Sequence, residues 1–419
     1  MRGVTFNTWS ETQYAMKYKL KMGSVKTSFA MQLIQIFLFL ILSWVLKKLR
    51  PGKYGVELPW NFLFQNKYWT SSAYITKSNI YSKKSNDPSY KKYFVDSLED
   101  LEVAVTVINV QKIFKIARTN IIDLDKVSLN FYKNEITVLI GHNGAGKTTL
   151  LSIIAGMLKQ SSGNVYVEGF DTVLQQANLK RRIGLCPQHN IFINDFTVQE
   201  HLMFFSMING KNFEKAKKSS QKLMNQLNLF SKASWITSKL PEAMLRRLQI
   251  GCALCGNASV LLLDEPTSGL DVESRREIWD ILLILRGKRT VIMTTQLLEE
   301  ADILGDRIIA LHAGKLRCNA SPSQLKNAFG VGYRVPITTV HRPDVTKITA
   351  TIRKIAPAAI LKDKTLRTLV YYIPRDADMA GIFNTLEYNR TSLDIESMGF
   401  GSTSLEEVFM EYALNISFN

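Results

Sequence analysis

The chain has 419 residues, and its 53 lysines and arginines outnumber its 36 aspartates and glutamates, which gives a net charge of +17 at pH 7. This length allows two or three domains with sizeable cores. The basic residues are scattered and no recognition motif gathers them, which argues against nucleic-acid binding, while phosphate ligands and anionic lipid headgroups remain suitable partners. The 4 cysteines of so long a chain do not indicate a disulfide framework, so a reduced, cytosolic bulk is expected.

An uncharged, apolar stretch is the first predicted element after an N-terminal segment, residues 1–28. Residues 29–46, FAMQLIQIFLFLILSWVL, would form a helix about 27 Å long, which is enough to cross the hydrocarbon core of a bilayer. Basic residues follow directly and no small-residue cleavage site is present, so a transmembrane helix is favoured over a signal peptide. A buried helix of a soluble domain is the alternative, because Gln32 and Gln35 interrupt the apolar run.

Residues 47–102 are predicted to be a connector followed by a linker. The connector contains the aromatic, basic sequence PGKYGVELPWNFLFQNKYW. The polar stretch YSKKSNDPSYKK after it is typical of an exposed linker.

The remainder of the chain divides into a large and a small unit. Over residues 103–325, short β-branched runs such as ITVLIG, VLLLD and TVIMTT alternate with segments of helical length, which predicts an α/β domain with a largely parallel sheet. Residues 196–256 show helical periodicity only and indicate an inserted helical subdomain. Residues 326–419 are predicted to form a smaller unit, in which YRVPITTV, LVYYIP and LDIESM are strand-like.

The strongest motif is GHNGAGKTT, which follows the apolar run ITVLI and precedes the helix-like TTLLSIIAGML. A strand, a glycine-rich loop and a helix in this order form a phosphate loop, in which backbone N–H groups surround the phosphates at a helix N-terminus. Lys147 would reach the β- and γ-phosphates of ATP, and the Thr148 hydroxyl would bind Mg²⁺. The predicted nucleotide-binding residues of the loop are Gly141, His142, Asn143, Gly144, Ala145, Gly146, Lys147, Thr148 and Thr149.

A second motif, VLLLDEP, is an apolar strand that ends in two acids. Asp264 at the strand end can hold the magnesium shell, and Glu265 can polarise an attacking water. Two acids at a strand end would on their own be ordinary surface residues. Their combination with a phosphate loop instead predicts a site that uses ATP and Mg²⁺.

These motifs and their flanking sequences resemble the nucleotide-binding domain of ABC transporters over about residues 103–325. More narrowly, LNFYKNEITVLIGHNGAGKTT, CPQHNIFINDFTVQEHL and LLDEPTSGLD resemble the A subfamily, whose members move lipids and sterols. The connector and STSLEEVF near the C-terminus extend the resemblance over nearly the whole chain. The resemblance implies an α/β P-loop NTPase fold of the ABC type with an inserted helical subdomain, preceded by one transmembrane helix and followed by a small α+β regulatory domain.

The resemblance also implies roles for single residues outside the two motifs. Phe114, ahead of the phosphate loop, would stack on adenine, although ordinary strand packing explains that residue nearly as well. Gln188 in CPQHN would join the magnesium shell and sense the γ-phosphate. Asp271 in SGLD would bridge to a partner nucleotide-binding domain.

Two motifs depart from the family pattern. The switch histidine expected after TVIMTT is Gln296, which can donate a neutral hydrogen bond but cannot become a cation or relay a proton. The signature LSGG, which opens a helix toward the partner's γ-phosphate, is replaced by LPEA, and the carboxylate of Glu242 would face that phosphate. The partner-facing residues are Leu240, Pro241, Glu242, Ala243, Met244 and Asp271, and the catalytic candidates are Glu265, Gln296 and Gln188.

The leading interpretation is an integral membrane ABC subunit whose cytosolic nucleotide-binding domain binds ATP and couples its binding or hydrolysis to lipid transport. One span cannot line a translocation path, so we expect a second nucleotide-binding domain and further transmembrane helices, supplied by another polypeptide or by a part of the protein that precedes this sequence. One alternative is an ATP-binding pseudo-ATPase that regulates a competent subunit. The other alternative is a soluble ABC-type regulator without a transport role. No nucleic-acid partner is expected.

Overall fold

A computed structural model of the protein describes residues 22–51, 56–69, 101–116, 119–256, 258–329, 332–374, 376–402 and 405–407. Most of the predicted N-terminal segment, the polar linker and the end of STSLEEVF lie outside the described residues. The strands, numbered in chain order, are β1 (Val103–Ile116), β2 (Thr119–Tyr132), β3 (Ile136–Ile140), β4 (Ser162–Val167), β5 (Phe170–Asp171), β6 (Ile183–Cys186), β7 (Val260–Asp264), β8 (Thr290–Thr295), β9 (Arg307–His312), β10 (Lys315–Ala320), β11 (Tyr333–Thr339), β12 (Ile360–Lys364), β13 (Thr368–Ile373), β14 (Ile395–Met398) and β15 (Gly401–Ser402).

The α-helices of the described residues are α1 (Met22–Leu49), α2 (Asn66–Trp69), α3 (Lys147–Ile154), α4 (Gln176–Leu179), α5 (Val198–Ile208), α6 (Phe213–Gln226), α7 (Glu242–Leu254), α8 (Val272–Leu285), α9 (Leu298–Leu304), α10 (Pro322–Phe329), α11 (Val345–Ile355) and α12 (Met379–Tyr388). Short 3₁₀ turns lie at Phe62–Phe64, Phe230–Lys232 and Thr237–Lys239.

The apolar stretch near the N-terminus forms one long helix, α1, which extends beyond the predicted residues 29–46 at both ends. Its leucines and methionines are good helix formers, and Lys47 and Lys48 in the last turn complement the helix dipole. Among the described residues, Ser28–Leu49 is the one helical segment long and apolar enough to cross a membrane, and none of its apolar window is buried inside the protein.

The connector after α1 forms a small apolar core together with residues of α1 and of the α/β unit. Phe62 in the 3₁₀ turn is fully buried, and its ring centroid lies 6.0 Å from that of Trp44 on α1. Val173, from the loop after β5, completes the same cluster together with Val56 and Leu58 of the connector. The connector therefore attaches α1 to the α/β unit by packing as well as through the chain.

The central sheet has six strands in the order β10–β9–β3–β8–β7–β6. All neighbours pair in parallel except β10, which is antiparallel to β9. The strands β3, β7 and β8 are buried along their whole length, as expected where other elements cover both faces of a sheet. Because β3, β6, β7 and β8 run in the same direction, their carboxyl ends meet at one edge of the sheet. This edge is where the segments predicted to bind nucleotide begin.

A second, antiparallel sheet has the order β2–β1–β4–β5. Its inner face shares a core with α3 and the central sheet, in which Val107, Leu129, Ile154 and Leu262 are fully buried. The sequence did not predict β2, since polar residues interrupt the apolar alternation of IIDLDKVSLNF at the start of that strand.

Three helices, α5, α6 and α7, lie in the stretch 196–256, for which the sequence predicts a helical subdomain. Thr197 and Glu200 form a capping box at the start of α5, and Asn212 caps α6. The helices pack around their own core, with Leu202 and Leu248 fully buried.

The C-terminal unit is a sheet in the order β12–β13–β11–β14, with β15 paired to β11, and α11 and α12 pack on it. Leu405, after β15, does not join this unit but is buried in the core of the central sheet. Two residues later, Glu407 forms an ion pair with Arg334 on β11 at 3.6 Å. The end of the described chain therefore connects the C-terminal unit to the α/β unit.

Candidate nucleotide site

The phosphate loop joins β3 to α3 and packs closely against its neighbours. Gly146, at the start of α3, has a left-handed backbone with φ 94°, and a Cβ there would lie 2.7 Å from the Leu124 side chain. A Cβ on Gly141 would lie 2.4 Å from the carbonyl oxygen of Leu311. Both glycines are therefore required by the close approach of the loop to β2 and β9.

Lys147 is buried within the loop. Its Nζ donates to the carbonyl oxygens of Gly141 at 2.7 Å and His142 at 3.0 Å. Burial lowers the pKa of this ammonium, and the nearby carboxylates of Glu265 and Asp264 act in the opposite direction. The charge is thus held where a polyphosphate would enter the loop.

Asp264 connects the phosphate loop to the central sheet. It is 5% exposed, and its Oδ1 accepts hydrogen bonds from the hydroxyl groups of Thr148 at 3.2 Å and Thr294 at 2.6 Å. The amide nitrogen of Gln188 donates to the Glu265 carboxylate at 3.0 Å, which places the Gln188 side chain at the same sheet edge as Asp264. Hydroxyl, carboxylate and amide oxygens are the ligands that Mg²⁺ prefers, so this set of residues fits a magnesium ion.

Glu265 has an unusual backbone and a firmly held side chain. Its φ of 46° lies in the left-handed region, which costs a non-glycine residue about 1–2 kcal/mol. The N–H of Glu265 donates to the Thr294 hydroxyl at 2.9 Å. The two carboxylate oxygens accept from the amide groups of Gln188 and Gln296 at 3.0 and 2.7 Å. The carboxylate is thereby oriented as a hydrogen-bond acceptor at the end of β7.

Gln296, at the position of the expected switch histidine, also reaches the phosphate loop. Its amide nitrogen donates to Oδ1 of Asn143 at 2.8 Å in addition to Glu265. The four strand ends therefore contribute to one hydrogen-bonded cluster, and the Lys147 ammonium lies in the phosphate loop beside it. The members of the cluster are Thr148, Asp264, Thr294, Glu265, Gln188, Gln296 and Asn143.

Two protein-family models match the chain. One is described as an ABC transporter and matches residues 124–268. The other is described as an ABCA1-like, C-terminal R1 regulatory domain and matches residues 330–398. The chain therefore contains an ABC transporter domain and an ABCA1-like R1 regulatory domain. The combination of an ABC domain with this regulatory domain confirms the resemblance to the A subfamily.

Similar curated proteins carry A-subfamily names. The chain is 33% identical to the phospholipid-transporting ATPase ABCA3 of Mus musculus over 91% of its own length and 22% of that protein. It is 33% identical to the retinal-specific phospholipid-transporting ATPase ABCA4 of Bos taurus over 92% of its length and 19% of that protein. The corresponding values for ATP-binding cassette sub-family A member 17 of Rattus norvegicus are 33%, 97% and 24%. This ABC chain thus spans about a fifth to a quarter of the length of these relatives.

Among solved structures, a similar chain is an ATP-binding cassette described as a dimer in a post-hydrolysis state with ADP and phosphate. The identity is 27% and the TM-score is 0.49, over 52% of this ABC chain and 98% of the other.

One residue of this ABC domain that the sequence did not single out is Arg246, on α7. It is 4% exposed, and its guanidinium donates to main-chain carbonyl oxygens at the ends of β6 and β7. The sequence did carry one signal, which is the position of Arg246 on a helix that faces a core. A charged side chain there is shielded from water, so it needs buried hydrogen-bond partners. The sequence does not show which carbonyl groups those partners are.

The residues at the ABC signature position lie at the start of α7. Pro241 precedes the helix and makes no side-chain cap, and the Glu242 side chain is exposed. Leu240 is buried, and Ala243 and Met244 pack against two of the hydrophobic cores. In the part of the chain that the structure describes, no hydrogen bond or ion pair joins these residues to the phosphate loop.

Asp271 of the ABC domain caps α8. Its carboxylate accepts from the N–H of Ser274 at 3.1 Å, and hydrogen bonds from Ser274 lower its pKa. The side chain is exposed at the surface, where a partner could contact it.

Phe114 lies on β1, opposite Ile121 in the β1–β2 ladder, and is half-buried. The Lys112 ammonium lies 5.0 Å from the ring centroid and donates to the carbonyl oxygen of Lys159 at 2.7 Å. Burial lowers the pKa of Lys112. The ring thus has a cation partner within the chain, and its stacking on adenine stays a prediction.

Proposed function

We propose that this chain is the nucleotide-binding part of a membrane-anchored ABC assembly, which binds ATP with Mg²⁺ and couples nucleotide turnover to lipid movement. The observation that carries this proposal is the cluster at the edge of the central sheet. Five side chains with complementary roles meet there, namely Lys147, Thr148, Asp264, Glu265 and Gln188.

The chemistry of the cluster assigns a role to each of these groups. The ammonium of Lys147 would neutralise the terminal phosphates, and α3 would add its N-terminal dipole. Thr148, Asp264 and Gln188 would hold Mg²⁺, which when bound neutralises charge on the phosphate oxygens. Glu265 accepts hydrogen bonds through both oxygens and would orient and polarise an attacking water.

A membrane location is supported by α1 and its packed connector. The helix presents apolar side chains around its whole surface, which is costly in water and favourable in lipid. Two of the relatives are named phospholipid-transporting ATPases, which makes a phospholipid the favoured substrate class here. A single helix encloses no path, so other transmembrane helices would belong to the assembly, and the ABC domain would face the cytosol, where ATP is found.

A second nucleotide-binding domain is the proposed partner. It would face the exposed start of α7 at Glu242 and the exposed Asp271. Among the residues that the structure describes, no hydrogen bond or ion pair joins the side chains of Glu242 or Asp271 to this chain's own phosphate loop. This is expected for groups that serve a site shared with another domain.

A second candidate function is that of an ATP-binding regulatory subunit with little hydrolysis of its own. Gln296 favours it, because its amide donates to Glu265 and Asn143 but supplies neither a positive charge nor a proton relay. Glu242 favours it as well, since an exposed carboxylate at the start of α7 would face a partner's γ-phosphate with like charge.

The test of both candidates is nucleotide binding followed by phosphate release. Lys147→Ala removes a charge and its hydrogen bonds, which should weaken Mg²⁺–ATP binding by about 3 kcal/mol, or roughly a hundredfold. The control is Lys133→Ala, which removes a solvent-exposed ion pair with Glu102 and should leave affinity unchanged. Equal affinities for the two variants would refute the site. If the ATP-binding chain shows phosphate release near background when it is paired with a second nucleotide-binding domain, the result selects the regulatory candidate.

A further inference from the structure

The Arg246 side chain donates hydrogen bonds to the main chain of two separate segments. Its Nε, Nη1 and Nη2 atoms donate to five main-chain carbonyl oxygens at distances between 2.7 and 3.1 Å, those of Pro187, Gln188, Asp264, Glu265 and Pro266. Nη1 also donates to Oε1 of Gln249 at 3.1 Å. Every N–H direction of the guanidinium is therefore directed at the protein.

The five carbonyl groups belong to two short segments that follow neighbouring strands. Two of them come directly after β6, and the other three are consecutive at the end of β7. The middle residue of the second segment is Glu265, whose left-handed backbone needs external support. One guanidinium thus holds a strained strand end and ties it to the loop that carries Gln188.

We infer that Arg246 is a positioning residue for the nucleotide site, an inference that rests on the function proposed above. It holds the backbone beneath Gln188, Asp264 and Glu265 at a fixed spacing, so that their side chains meet the same Mg²⁺–nucleotide complex. Arg246 acts through these three residues, because its guanidinium donates to their main-chain carbonyl groups.

The geometry requires arginine in particular. A guanidinium has five N–H groups in a planar fork, whereas a lysine ammonium is a compact charge with three. A lysine at position 246 could donate hydrogen bonds to some of the five carbonyl oxygens, but the others would be buried without a donor. The spacing of the two segments would then no longer be fixed by one rigid group.

The helix that carries Arg246 also links the site to the partner-facing surface. Glu242 precedes Arg246 by one helical turn, about 6 Å along the axis, and its side chain is exposed. A domain that docks at the start of α7 and shifts the helix would move the guanidinium and, with it, the ends of β6 and β7. Through Arg246, α7 would thereby connect its exposed start to this chain's own site, although it lacks the glycines for a close phosphate contact.

The neighbouring residue, Arg247, provides a matched control. It lies on the same helix and is 5% exposed, compared with 4% for Arg246. Its Nη1 forms an ion pair with Glu277 at 3.2 Å and donates to the carbonyl oxygen of Leu227 at 3.4 Å. These contacts stay with α8 and the helical subdomain, away from the strand ends.

The experiment measures the ATP dissociation constant of the full chain in excess Mg²⁺ and in EDTA, with the melting temperature of each variant. Removing groups that orient metal ligands commonly costs about 10–100-fold in metal affinity, so Arg246→Gln should reduce the gain from Mg²⁺ by about tenfold or more. Its affinity in EDTA, which depends on the phosphate loop and Lys147, should stay near that of the wild type. Arg247→Gln should keep the wild-type gain from Mg²⁺ whatever its melting temperature.

A wild-type gain from Mg²⁺ in Arg246→Gln overturns the inference. Equal losses of that gain in the Arg246 and Arg247 variants, in step with their melting temperatures, overturn it too, because they indicate general destabilisation. If Arg246→Gln does not fold, Arg246→Lys replaces it in the experiment, because lysine keeps the charge. Its increase in ATP affinity on adding Mg²⁺ should be intermediate, and an increase equal to that of the wild type overturns the inference. Absence of ATP binding by the wild type in either buffer refutes the proposed function itself and the inference with it.

Discussion

The carboxylate of Glu300 connects the end of β8 to the segment after β7, and its removal should destabilise the protein strongly. Glu300 is 0% exposed and lies on α9, just after the switch position. It accepts hydrogen bonds from the Thr295 hydroxyl at 2.6 Å, from Trp279 Nε1 at 3.1 Å and from the Thr267 hydroxyl. All three donors are themselves buried. We predict that Glu300→Ala leaves them without their acceptor.

The magnitude follows from the number of donors. A buried donor without a partner costs about 1–3 kcal/mol, so three of them set an upper bound of about 9 kcal/mol. Hydroxyl groups can rotate toward other acceptors whereas the indole N–H of Trp279 cannot, which leaves an expected loss of about 3–5 kcal/mol. Because a domain is stable by only about 5–15 kcal/mol, this is a large fraction of the free energy of unfolding.

The assay is urea unfolding followed by circular dichroism, with Glu299→Ala as the control. Glu299 precedes Glu300 on the same helix and is exposed, so its removal should change the unfolding free energy by less than about 0.5 kcal/mol. Glu300→Gln keeps the shape and one acceptor oxygen and should fall between the two. Unfolding midpoints that coincide for Glu299→Ala and Glu300→Ala would refute the reasoning.

Two further predictions concern hydrolysis. Gln296→His should raise ATP turnover by about 10²–10³ with a competent partner domain, since an imidazole supplies the missing electrostatic stabilisation and proton relay, and phosphate release measures it; no gain would show that Gln296 is not the limiting defect. Restoring the signature with Pro241→Ser, Glu242→Gly and Ala243→Gly should activate a homodimer further in the Gln296→His background, because the helix start could then approach the partner's phosphate. An unmodified protein that already hydrolyses ATP as fast as intact relatives would contradict both.

The parts of the site that the sequence predicted are those encoded by contiguous residues. The order of strand, glycine-rich loop and helix around Lys147 and Thr148 is local, because each backbone conformation depends on its own residues and their neighbours. The same holds for Asp264 at the end of an apolar strand. Parallel strands bring their carboxyl ends to one edge of the sheet, which is where the structure places both motifs.

Contacts between residues far apart in the chain were decided by the tertiary structure alone. Gln296 and Asn143 are hydrogen-bonded across 153 positions, and Arg246 reaches carbonyl groups in two different segments. The burial of the Glu300 carboxylate, which no sequence motif indicated, is also a result of the tertiary structure. Main-chain carbonyl groups are identical at every position, so no sequence pattern marks which of them a buried side chain will bind. Only the packing of α7 and α9 against the sheet makes that choice, because it determines which carbonyl and hydroxyl groups are shielded from water and need a partner.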